Sequence, residues 1–412
     1  MDIELKPLSD LCLSITDCPH STPQWLDEGY LVIRNYNIKD GRLLLSDVSY
    51  TNEETFKQRN QRAKPEAGDI IITREAPMGE VCIVPDGLEC CMGQRMVLLK
   101  PDTTKVNTKY LLYVLMSDYV QRQIRKSEGT GSIVSNLDIP DLKALPIPNL
   151  PIPLQERIGA LLFDIDAKVD LNNKINTELE GLVKINYDYW FKQFEFPDEE
   201  GNPYNSSGGK MVWNEQLQRE VPEGWTNGVL SDLVENISDT ARSGEQLKGL
   251  VYTPIEQLPK KKMTFGGGLD YSEANSSLIL YKKFDILIGA MRVYFHRVCI
   301  APFDGVTRTT TIVIRAKNLE HLPYIYQTIF DDATIQFAST HSVGTQQPYV
   351  KWDGTLENYN ILIPKSNIID KFCCKVDSIL EIIREKEIEN NDLKNLRSWL
   401  LPMLMNSQVA FR

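Results

Sequence analysis

Two stretches of the chain place apolar residues at alternating spacings of four and three, the heptad pattern of a coiled-coil helix. The first begins at Leu154 and the second at Phe372, 218 residues later. Each pattern persists over roughly five heptads, longer than an ordinary surface helix requires. We therefore predict two long helices that pack against each other as an antiparallel coiled coil.

The two heptad patterns share their polar interruptions. Lys168 in the first corresponds to Lys386 in the second, and Asn172 corresponds to Asn390. Antiparallel pairing would put Lys168 opposite Asn390 and Asn172 opposite Lys386, so that these side chains fix the register of the coil. The alternative is that they are solvated positions at which the two helices separate.

The segments outside the helices repeat as well. Phe284–Ile288 matches Gly68–Ile72 at a spacing of 216 residues, and Val298–Pro302 matches Val81–Pro85 at a spacing of 217. In both halves, short runs typical of strands precede a stretch with helical spacing. The sequence thus predicts an α+β fold of two duplicated mixed-β domains, separated by the two long helices and related by a pseudo-twofold axis.

These patterns divide the chain into five predicted parts. They are a first domain (1–150), a first long helix (151–192), a linker (193–224), a second domain (225–364) and a second long helix (365–405). The linker is predicted from a stretch rich in Pro, Gly, Asn and Ser. In the first domain, we predict strands at 30–36, 68–74, 80–84 and 95–99, a turn at Asp40–Gly41 and one helix at 109–126. Its counterpart in the second domain is a helix at 322–337.

Composition narrows the class of protein. The chain has 412 residues, of which 42% are hydrophobic and 25% charged, as in ordinary globular proteins of two or three domains. It has no apolar run near the ~20 residues that cross a membrane, and its first ten residues lack a signal peptide's basic and apolar regions, so we predict a cytoplasmic protein without a membrane partner. The net charge of −11 counts against a simple nucleic-acid binder but does not exclude one, because acidic residues can lie on other faces.

Motifs for catalysis and metal binding are weak. The eight cysteines include no CxxC pair, and Cys12, Cys18 and His20 are poorly spaced for zinc, so we predict no metal site. No GxxxxGK[ST] phosphate loop occurs. Asn202–Tyr204 falls one proline short of the loop that an adenine methyltransferase needs, and it is interpreted as a turn.

The order of several short motifs, their duplication and the heptad helices together resemble the specificity subunit of type I restriction-modification systems. The resemblance covers nearly the whole chain. It depends on Ile33–Asn35, Ile38–Gly41, Gly68–Thr73, Ile147–Pro148, Gln155–Ile158, Pro222–Trp225, Asp285–Leu287, Met291–Arg292, Ala301–Gly305 and the final helix.

The resemblance implies a function without catalysis in this chain. Each of two target-recognition domains would read one half of a bipartite, asymmetric site in double-stranded DNA. The helices would dock two methyltransferase subunits, which restriction subunits with an ATP-driven motor would join. S-adenosylmethionine, ATP and Mg²⁺ are then expected on those partner subunits, and no cofactor is expected here.

Base contacts in DNA require Arg, Asn, Gln, Ser or Thr on loops that a rigid sheet presents, and phosphate contacts require basic and hydroxyl side chains. For every such residue, the alternative is an ordinary surface position. In the first domain, the candidates are Arg34, Asn35, Lys39, Arg74, Gln94, Arg95 and Ser132. In the second, they are Arg292, Tyr294, Arg297, Arg308, Thr309, Thr345, Gln346 and Gln347.

Three further interpretations remain open at this point. Lys260–Lys262 followed by Gly266–Gly268 is either a basic loop that contacts phosphate or a solvated hairpin tip. The whole chain could also be a protein-interaction scaffold that binds no DNA, which its acidic balance favours slightly. An enzyme with an unfamiliar site is disfavoured, because titratable residues do not cluster at usable spacings.

Overall fold

The computed structural model describes residues 4–126, 136–275 and 277–405. The helices are α1 (Glu53–Arg59), α2 (Thr108–Met116), α3 (Asp118–Lys126), α4 (Ile139–Ala144), α5 (Ile152–Tyr187), α6 (Leu230–Leu233), α7 (Leu322–Phe330), α8 (Asp332–Thr340) and α9 (Ser366–Met405). Among these described helices, none is long and apolar enough to cross a membrane.

The strands are short. In the first half they are β1 (Leu5–Pro7), β2 (Cys12–Asp17), β3 (Tyr30–Ile33), β4 (Ile38–Lys39), β5 (Arg42–Leu43), β6 (Ser49–Thr51), β7 (Ile70–Thr73), β8 (Val81–Ile83), β9 (Cys90–Met92), β10 (Met96–Pro101) and β11 (Pro146–Pro148). In the second half they are β12 (Met211–Asn214), β13 (Arg219–Pro222), β14 (Thr226–Val229), β15 (Val234–Ile237), β16 (Thr240–Ala241), β17 (Val251–Tyr252), β18 (Leu278–Tyr281), β19 (Ile286–Gly289), β20 (Val298–Ile300), β21 (Gly305–Arg308), β22 (Thr311–Ala316) and β23 (Asn360–Ile363).

The chain forms two compact units. The first contains residues 1–167 and 393–412, and the second contains residues 168–392. Both boundaries fall inside the long helices, not at their ends as the sequence-based division has it. Each unit therefore combines one β-rich domain with one part of each helix, because the helix residues pack into that domain's core.

The central sheet of the first unit has the strand order β2-β10-β7-β8, with all neighbours antiparallel. Side chains of a strand alternate between the two faces of a sheet. Ile70 and Ile72 accordingly enter one hydrophobic core, whereas Ile71 enters another. The β-branched run of β7 suits a strand that is buried on both faces.

The central sheet of the second unit repeats this order as β15-β22-β19-β20. A second pair repeats too, because β1 pairs with β11 and β14 with β23. The same tetrapeptide, Leu-Ser-Asp-Leu, forms a short helical turn at 8–11 and at 230–233. The predicted α+β fold with duplicated domains is therefore confirmed.

The single helix predicted at 109–126 is wrong, because the structure has α2 and α3 there. Ser117 lies between them in an extended conformation, with φ −65° and ψ 147°. Asp331 separates α7 from α8 at the equivalent place, and its carboxylate accepts a hydrogen bond from the backbone N–H of Ala333 at 3.0 Å. Ser and Asp are residues that favour helix caps, and they start a new helix at both places.

The predicted linker is folded. Residues 211–222 form the β12–β13 hairpin. Upstream of it, Phe194 and Phe196 are buried and their ring centroids lie 5.6 and 5.0 Å from that of Trp225. Pro, Gly and Asn mark turns in this segment, but the aromatic side chains between them anchor it to the core of the second unit.

The seam of α9, that is, the heptad positions that a coiled coil buries, lies where the pattern predicts it. Every predicted position from Phe372 to Leu404 is buried or partly buried. In α5, the predicted positions Ile158, Ile165 and Asn172 are buried and Leu161, Lys168 and Ile175 are partly buried, but Leu162, Val169 and Asn176 are more deeply buried than those three. The deeply buried residues of α5 are therefore spaced four residues after Ile158, at Leu162, and then three residues on, at Ile165. The heptad pattern predicts the opposite order, three and then four.

Within the second unit, the two helices pair in antiparallel fashion, because Asn172 contacts Asn390 while Asn176 contacts Glu387. The amide of Asn172 donates to Asn390 at 3.0 Å and accepts from Lys386 at 3.3 Å, which is the partner expected for it. Lys168 does not meet Asn390. Its ammonium lies 3.5 Å from the carboxylate of Glu389, because the pairing is offset by about one helical turn and a carboxylate is the better partner for the charge.

Candidate nucleic-acid interface

Three loops meet at one end of the central sheet of the first unit, and we call them the first loop cluster (residues 34–37, 74–79 and 93–95). The backbone N–H of Gly93 donates to the carbonyl of Ile33 at 2.7 Å. The N–H of Arg74 donates to the carbonyl of Arg95 at 2.8 Å. The side chain of Asn35 donates to the carbonyl of Ala76 at 2.5 Å, so it fastens one loop to the next.

Arg34 and Arg95 present positive charge from this cluster. The guanidinium carbon of Arg34 lies 4.8 Å from the ring centroid of Trp25 and 4.7 Å from that of Tyr36. Arg95 is exposed, has a left-handed φ of 67° and forms a 3.2 Å ion pair with Glu75. A ligand phosphate can compete for an exposed ion pair of this kind, because it is worth little in water.

The remaining candidates of the first domain are placed differently. Gln94 donates its side-chain amide to the carbonyl of His20, also at this end of the sheet. Lys39 is exposed on the β4–β5 hairpin, whose second strand is tied to α5 through Arg42 and Asp166. Ser132 lies outside the described residues.

The structure does not support Arg74 as a DNA contact. It is buried, and its guanidinium donates to the carbonyl of Leu137 at 2.9 Å and to the carboxylate of Asp17 at 2.8 Å. A buried guanidinium needs such partners, because unpaired charge is costly inside a protein. Arg74 therefore supports the loops from beneath and is not available to DNA.

The second unit builds a second loop cluster (residues 290–297, 308–310 and 343–350) in the same way. The N–H of Ala290 donates to the carbonyl of Thr310 at 3.0 Å, and the N–H of Arg292 donates to that of Pro348 at 2.7 Å. The N–H of Val350 donates to the carbonyl of Ala290 at 3.0 Å. The three predicted groups of residues in this domain are thus brought together.

Arg292 and Tyr294 are two positions apart, as residues on one face of a strand would be, but the segment from Met291 to Arg297 is a turn. Val293–Phe295 forms a short 3-10 turn between two left-handed residues, Arg292 with φ 49° and His296 with φ 55°. The side chains of Arg292 and Tyr294 are exposed, whereas Val293 between them is buried. Arg292 and Tyr294 therefore face solvent as predicted, although the backbone that presents them is a turn.

Arg297, the third candidate of this segment, is bonded within the protein. Its guanidinium donates to the backbone carbonyls of Ile255 at 2.9 Å and Glu256 at 3.1 Å, and also to that of Leu258. All three bonds are made by one guanidinium nitrogen, Nη1. Arg297 fastens the 255–258 segment to the sheet and is only partly exposed.

The third segment of the second loop cluster is a small hairpin. Val343 and Tyr349 exchange two backbone hydrogen bonds of 2.9 Å, and Gly344 between them has φ 94°, which favours glycine. The hairpin tip consists of Thr345, Gln346 and Gln347, all exposed. Beside Ala290, the turn that joins β21 to β22 adds Arg308 and Thr309, which are exposed as well.

Both loop clusters follow equivalent strands, β7 and β19. Their backbones agree in detail, because Ala76 and Arg292 occupy equivalent positions at left-handed φ values of 44° and 49°. Their exposed side chains differ. The two equivalent sheets therefore have the same backbone architecture at this end but present different polar side chains.

The glycine run Gly266–Gly268 is neither a phosphate loop nor a solvated tip. A Cβ atom on Gly266 would lie 1.9 Å from the carbonyl oxygen of Glu387, and one on Gly267 would lie 2.5 Å from the side-chain oxygen of Asn391. The run is thus packed against α9. Lys260, in contrast, places its ammonium 4.1 Å from the ring centroid of Phe295, beside the second loop cluster.

A histidine also lies in the second loop cluster. His296 is buried against Phe330, and burial lowers its pKa, so that it is neutral near pH 7. In the part of the chain that the structure describes, no group of three His, Cys, Asp or Glu side chains is arranged to hold a metal ion. Exposed aromatic residues at the clusters were missed in the sequence, notably Trp25, Tyr36 and Tyr349, and the spacing of Tyr36 two residues after Arg34 was the available signal.

The family of the first unit's domain follows from its sequence. Residues 2–181 match the model of the type I restriction modification DNA specificity domain. This part of the chain is therefore similar to the members of that family. The resemblance of the chain to type I specificity subunits, predicted from its motifs and duplication, is thereby confirmed.

Two relatives from Methanocaldococcus jannaschii extend this result. The type I restriction enzyme MjaIX specificity subunit is 26% identical over 371 residues, which cover 87% of this chain and 81% of the relative. A putative type I restriction enzyme MjaX specificity subunit is 29% identical over 194 residues, or 44% of this chain and 45% of the relative. The crystal structure of a type I S subunit from M. genitalium has the same fold, with a TM-score of 0.58 and 14% identity over 98% of this chain and 96% of that one.

Proposed function

We propose that this chain is the DNA-recognition subunit of a type I restriction-modification complex and that it reads a bipartite, asymmetric site. One observation carries the proposal. Each of the two equivalent sheets has a loop cluster at the same end, and each cluster has exposed basic and polar side chains. Direct base contacts require such groups on a rigid support. Because the two sets of side chains differ, the two half-sites should differ in sequence.

We further propose that the long helices scaffold the partner subunits. Large apolar side chains remain exposed on them, including Leu171 and Ile185 of α5 and Leu396 and Trp399 of α9. Exposed apolar groups on a helix face favour association with another protein. Two methyltransferase subunits are the proposed occupants, and restriction subunits with their motor and nuclease would join the assembly.

In this proposal the chain itself has no catalytic role and acts in the cytoplasm. S-adenosylmethionine, ATP and Mg²⁺ would be bound by the partners. The alternative function, a scaffold that binds no DNA, shares the exposed apolar helix faces. The two are separated by the salt dependence of DNA binding, since phosphate contacts give a steep decrease in affinity with increasing salt.

Arg292→Ala tests the second loop cluster. In the complex with methyltransferase subunits, we expect this variant to lose roughly 10-fold or more in preference for one half of the methylated site, because a good base contact is worth about 1–3 kcal/mol. The measurement is methylation of a library of duplexes with randomised sequence. Lys282→Ala is the control, because Lys282 is exposed at the opposite end of β19. Equal effects of the two variants would contradict the assignment of Arg292.

A further inference from the structure

The arginines of the first domain differ in where their donors are used. Arg59 is buried and donates to four backbone carbonyls, those of Met92, Ser21, Pro19 and Gly93. Arg74 likewise donates to a carbonyl and a carboxylate. These two guanidiniums are buried and bonded inside the protein, so they hold the fold together and are not exposed to a ligand.

Arg34 is different. Its guanidinium makes one long hydrogen bond among the described residues, 3.5 Å to the hydroxyl of Ser49. Its position is nevertheless restricted, because the ring centroids of Trp25 and Tyr36 lie 4.8 and 4.7 Å from the guanidinium carbon. Stacking on aromatic rings stabilises a guanidinium without using its N–H donors. Arg34 is thus held in place with its fork of donors still available.

The surroundings hold this arrangement from several sides. The backbone N–H of Arg34 donates to the buried side chain of Asn37 at 2.9 Å, and Asn37 donates in turn to the carbonyls of Leu44 and Asp47 at 3.0 and 2.7 Å. The hydroxyl of Tyr36 lies 3.3 Å from that of Ser49. A turn anchored in this way restricts Arg34 before any ligand arrives.

The neighbouring loop leaves room for the arginine. A Cβ atom on Gly93 would lie 2.8 Å from the carbonyl of Ile33 and 3.7 Å from the Cγ atom of Arg34. A larger residue at position 93 would therefore push the 34–37 loop away. The close approach also puts Arg34 beside Gln94 and Arg95, the other polar groups of the first loop cluster.

We propose that Arg34 reads a guanine in the half-site of the first domain, with Trp25 and Tyr36 as its positioning residues. The inference rests on the proposed function, because it requires DNA at the first loop cluster. A planar guanidinium donates two parallel N–H bonds to O6 and N7 of guanine, the pair of acceptors that marks this base in the major groove. Preorganisation of the fork reduces the entropy that binding costs.

A phosphate is the weaker candidate for this group. A phosphate contact tolerates a mobile side chain and needs only positive charge, which Arg95 provides on the same cluster. Two aromatic rings, in contrast, restrict where the guanidinium of Arg34 lies. A phosphate accepts the same pair of bonds from many directions, whereas the O6 and N7 acceptors of guanine are held in one place by the duplex, so a restricted donor fork favours guanine.

The test uses the full chain in complex with methyltransferase subunits, acting on duplexes with randomised sequence. The wild-type complex should require a guanine at one position of the first domain's half-site. Arg34→Lys keeps the charge but loses the fork, so we expect the preference for guanine at that position to decrease roughly 10- to 100-fold. All other positions, including the half-site of the second domain, should keep their preferences.

Two further variants separate reading from folding and from charge. Trp25→Ala combined with Tyr36→Ala leaves Arg34 intact but removes its support, and we expect a smaller loss at the same position only. Lys105→Ala removes an exposed charge at the opposite end of β10 and should leave the base preferences unchanged. The melting temperature of each complex checks the fold.

The outcomes distinguish the inference from the function beneath it. A wild-type complex without any sequence preference would overturn the proposed function itself. A sequence-specific complex whose first half-site contains no guanine, or whose guanine survives Arg34→Lys, would overturn the role of Arg34 alone. Equal weakening on every sequence would make Arg34 a phosphate contact and would also overturn the inference.

Discussion

At the scale of single residues, the structural role of a buried charged group depends on how many hydrogen-bond partners it has. Asp166 of α5 is buried and receives three donors from three other elements. Arg397 of α9 donates at 2.7 Å, Arg42 of β5 at 3.2 Å and the hydroxyl of Tyr113 at 2.7 Å. This group of contacts holds the domain of the first unit to its part of both long helices. Burial, followed by the charge of Asp166, raises the pKa of Tyr113, which therefore acts as a neutral donor.

Asp166→Asn should destabilise the first unit. The substitution keeps the shape of the side chain but leaves two partly buried guanidiniums without their carboxylate, and breaking such a buried pair costs roughly 3–5 kcal/mol. Chemical denaturation of the purified chain measures the change in the free energy of unfolding. Asp164→Asn, on an exposed position of the same helix, should change it by less than about 0.5 kcal/mol. Similar values for both variants would mean that the three donors contribute little.

At the scale of elements, the attachment of a domain to a helix depends on close backbone contact. In the second unit, Gly266 lies so close to α9 that a Cβ atom would be 1.9 Å from the backbone oxygen of Glu387. A few residues earlier, the N–H of Met263 donates to the carboxylate of Glu180 on α5 at 2.7 Å. Burial raises the pKa of Glu180, and the hydrogen bond from Met263 opposes that shift. One loop therefore touches both long helices.

Gly266→Ala should weaken this attachment, because the added methyl group meets backbone that cannot move cheaply. Overpacking of this kind costs about 1–3 kcal/mol. Gly181→Ala is the matched control: a Cβ atom there has nothing within 4 Å, and alanine favours the helix over glycine by about 1 kcal/mol. The two substitutions should shift the thermal midpoint in opposite directions. A rise in the midpoint with Gly266→Ala would exclude a close contact with α9.

The two long helices could be predicted because their apolar pattern repeats over many residues. Which of their residues are buried, and where a shorter helix breaks, could not be predicted in full. The heptads gave α9 its correct seam because apolar residues mark its positions from Phe372 to Ile383 and again at Leu393, Leu400 and Leu404. On α5 the apolar face is wider than the seam, so Leu161 and Leu162 are equally acceptable in the pattern, and only packing selects Leu162. The break at Ser117 was invisible because the apolar spacing continues across it.

The candidate site shows a sharper limit. Arg34, Arg74, Arg292 and Arg297 all follow or precede a strand, and the sequence does not distinguish them. The structure separates them by tertiary contacts. Arg74 is buried and bonded inside the protein, and one guanidinium nitrogen of Arg297 is bonded to backbone carbonyls, whereas Arg292 is exposed and Arg34 lies close to two aromatic rings. The hydrogen bonds of Arg74 and Arg297 join residues 39 or more positions apart, which no local pattern encodes.

At the scale of the whole molecule, duplication makes the two recognition domains separable. The β14–β23 pair closes the second domain at its start and its end, so residues 225–364 form a segment that enters and leaves at one place. Replacing this segment with its equivalent from a type I specificity subunit should change one half of the methylated site and leave the other half unchanged. The physical reason is that each loop cluster is built entirely from contacts within its own unit.

The exchange must preserve two contacts with the long helices to be informative. The incoming domain needs a small residue at the position of Gly266 and a backbone donor at that of Met263, because Glu387 and Glu180 remain on the recipient helices. Sequencing of methylated genomic DNA measures both halves in one experiment, and the reciprocal exchange of residues 1–150 is the control. A chimera whose two half-sites both change would show that the domains do not read DNA independently, and the proposal of one half-site for each loop cluster would be abandoned.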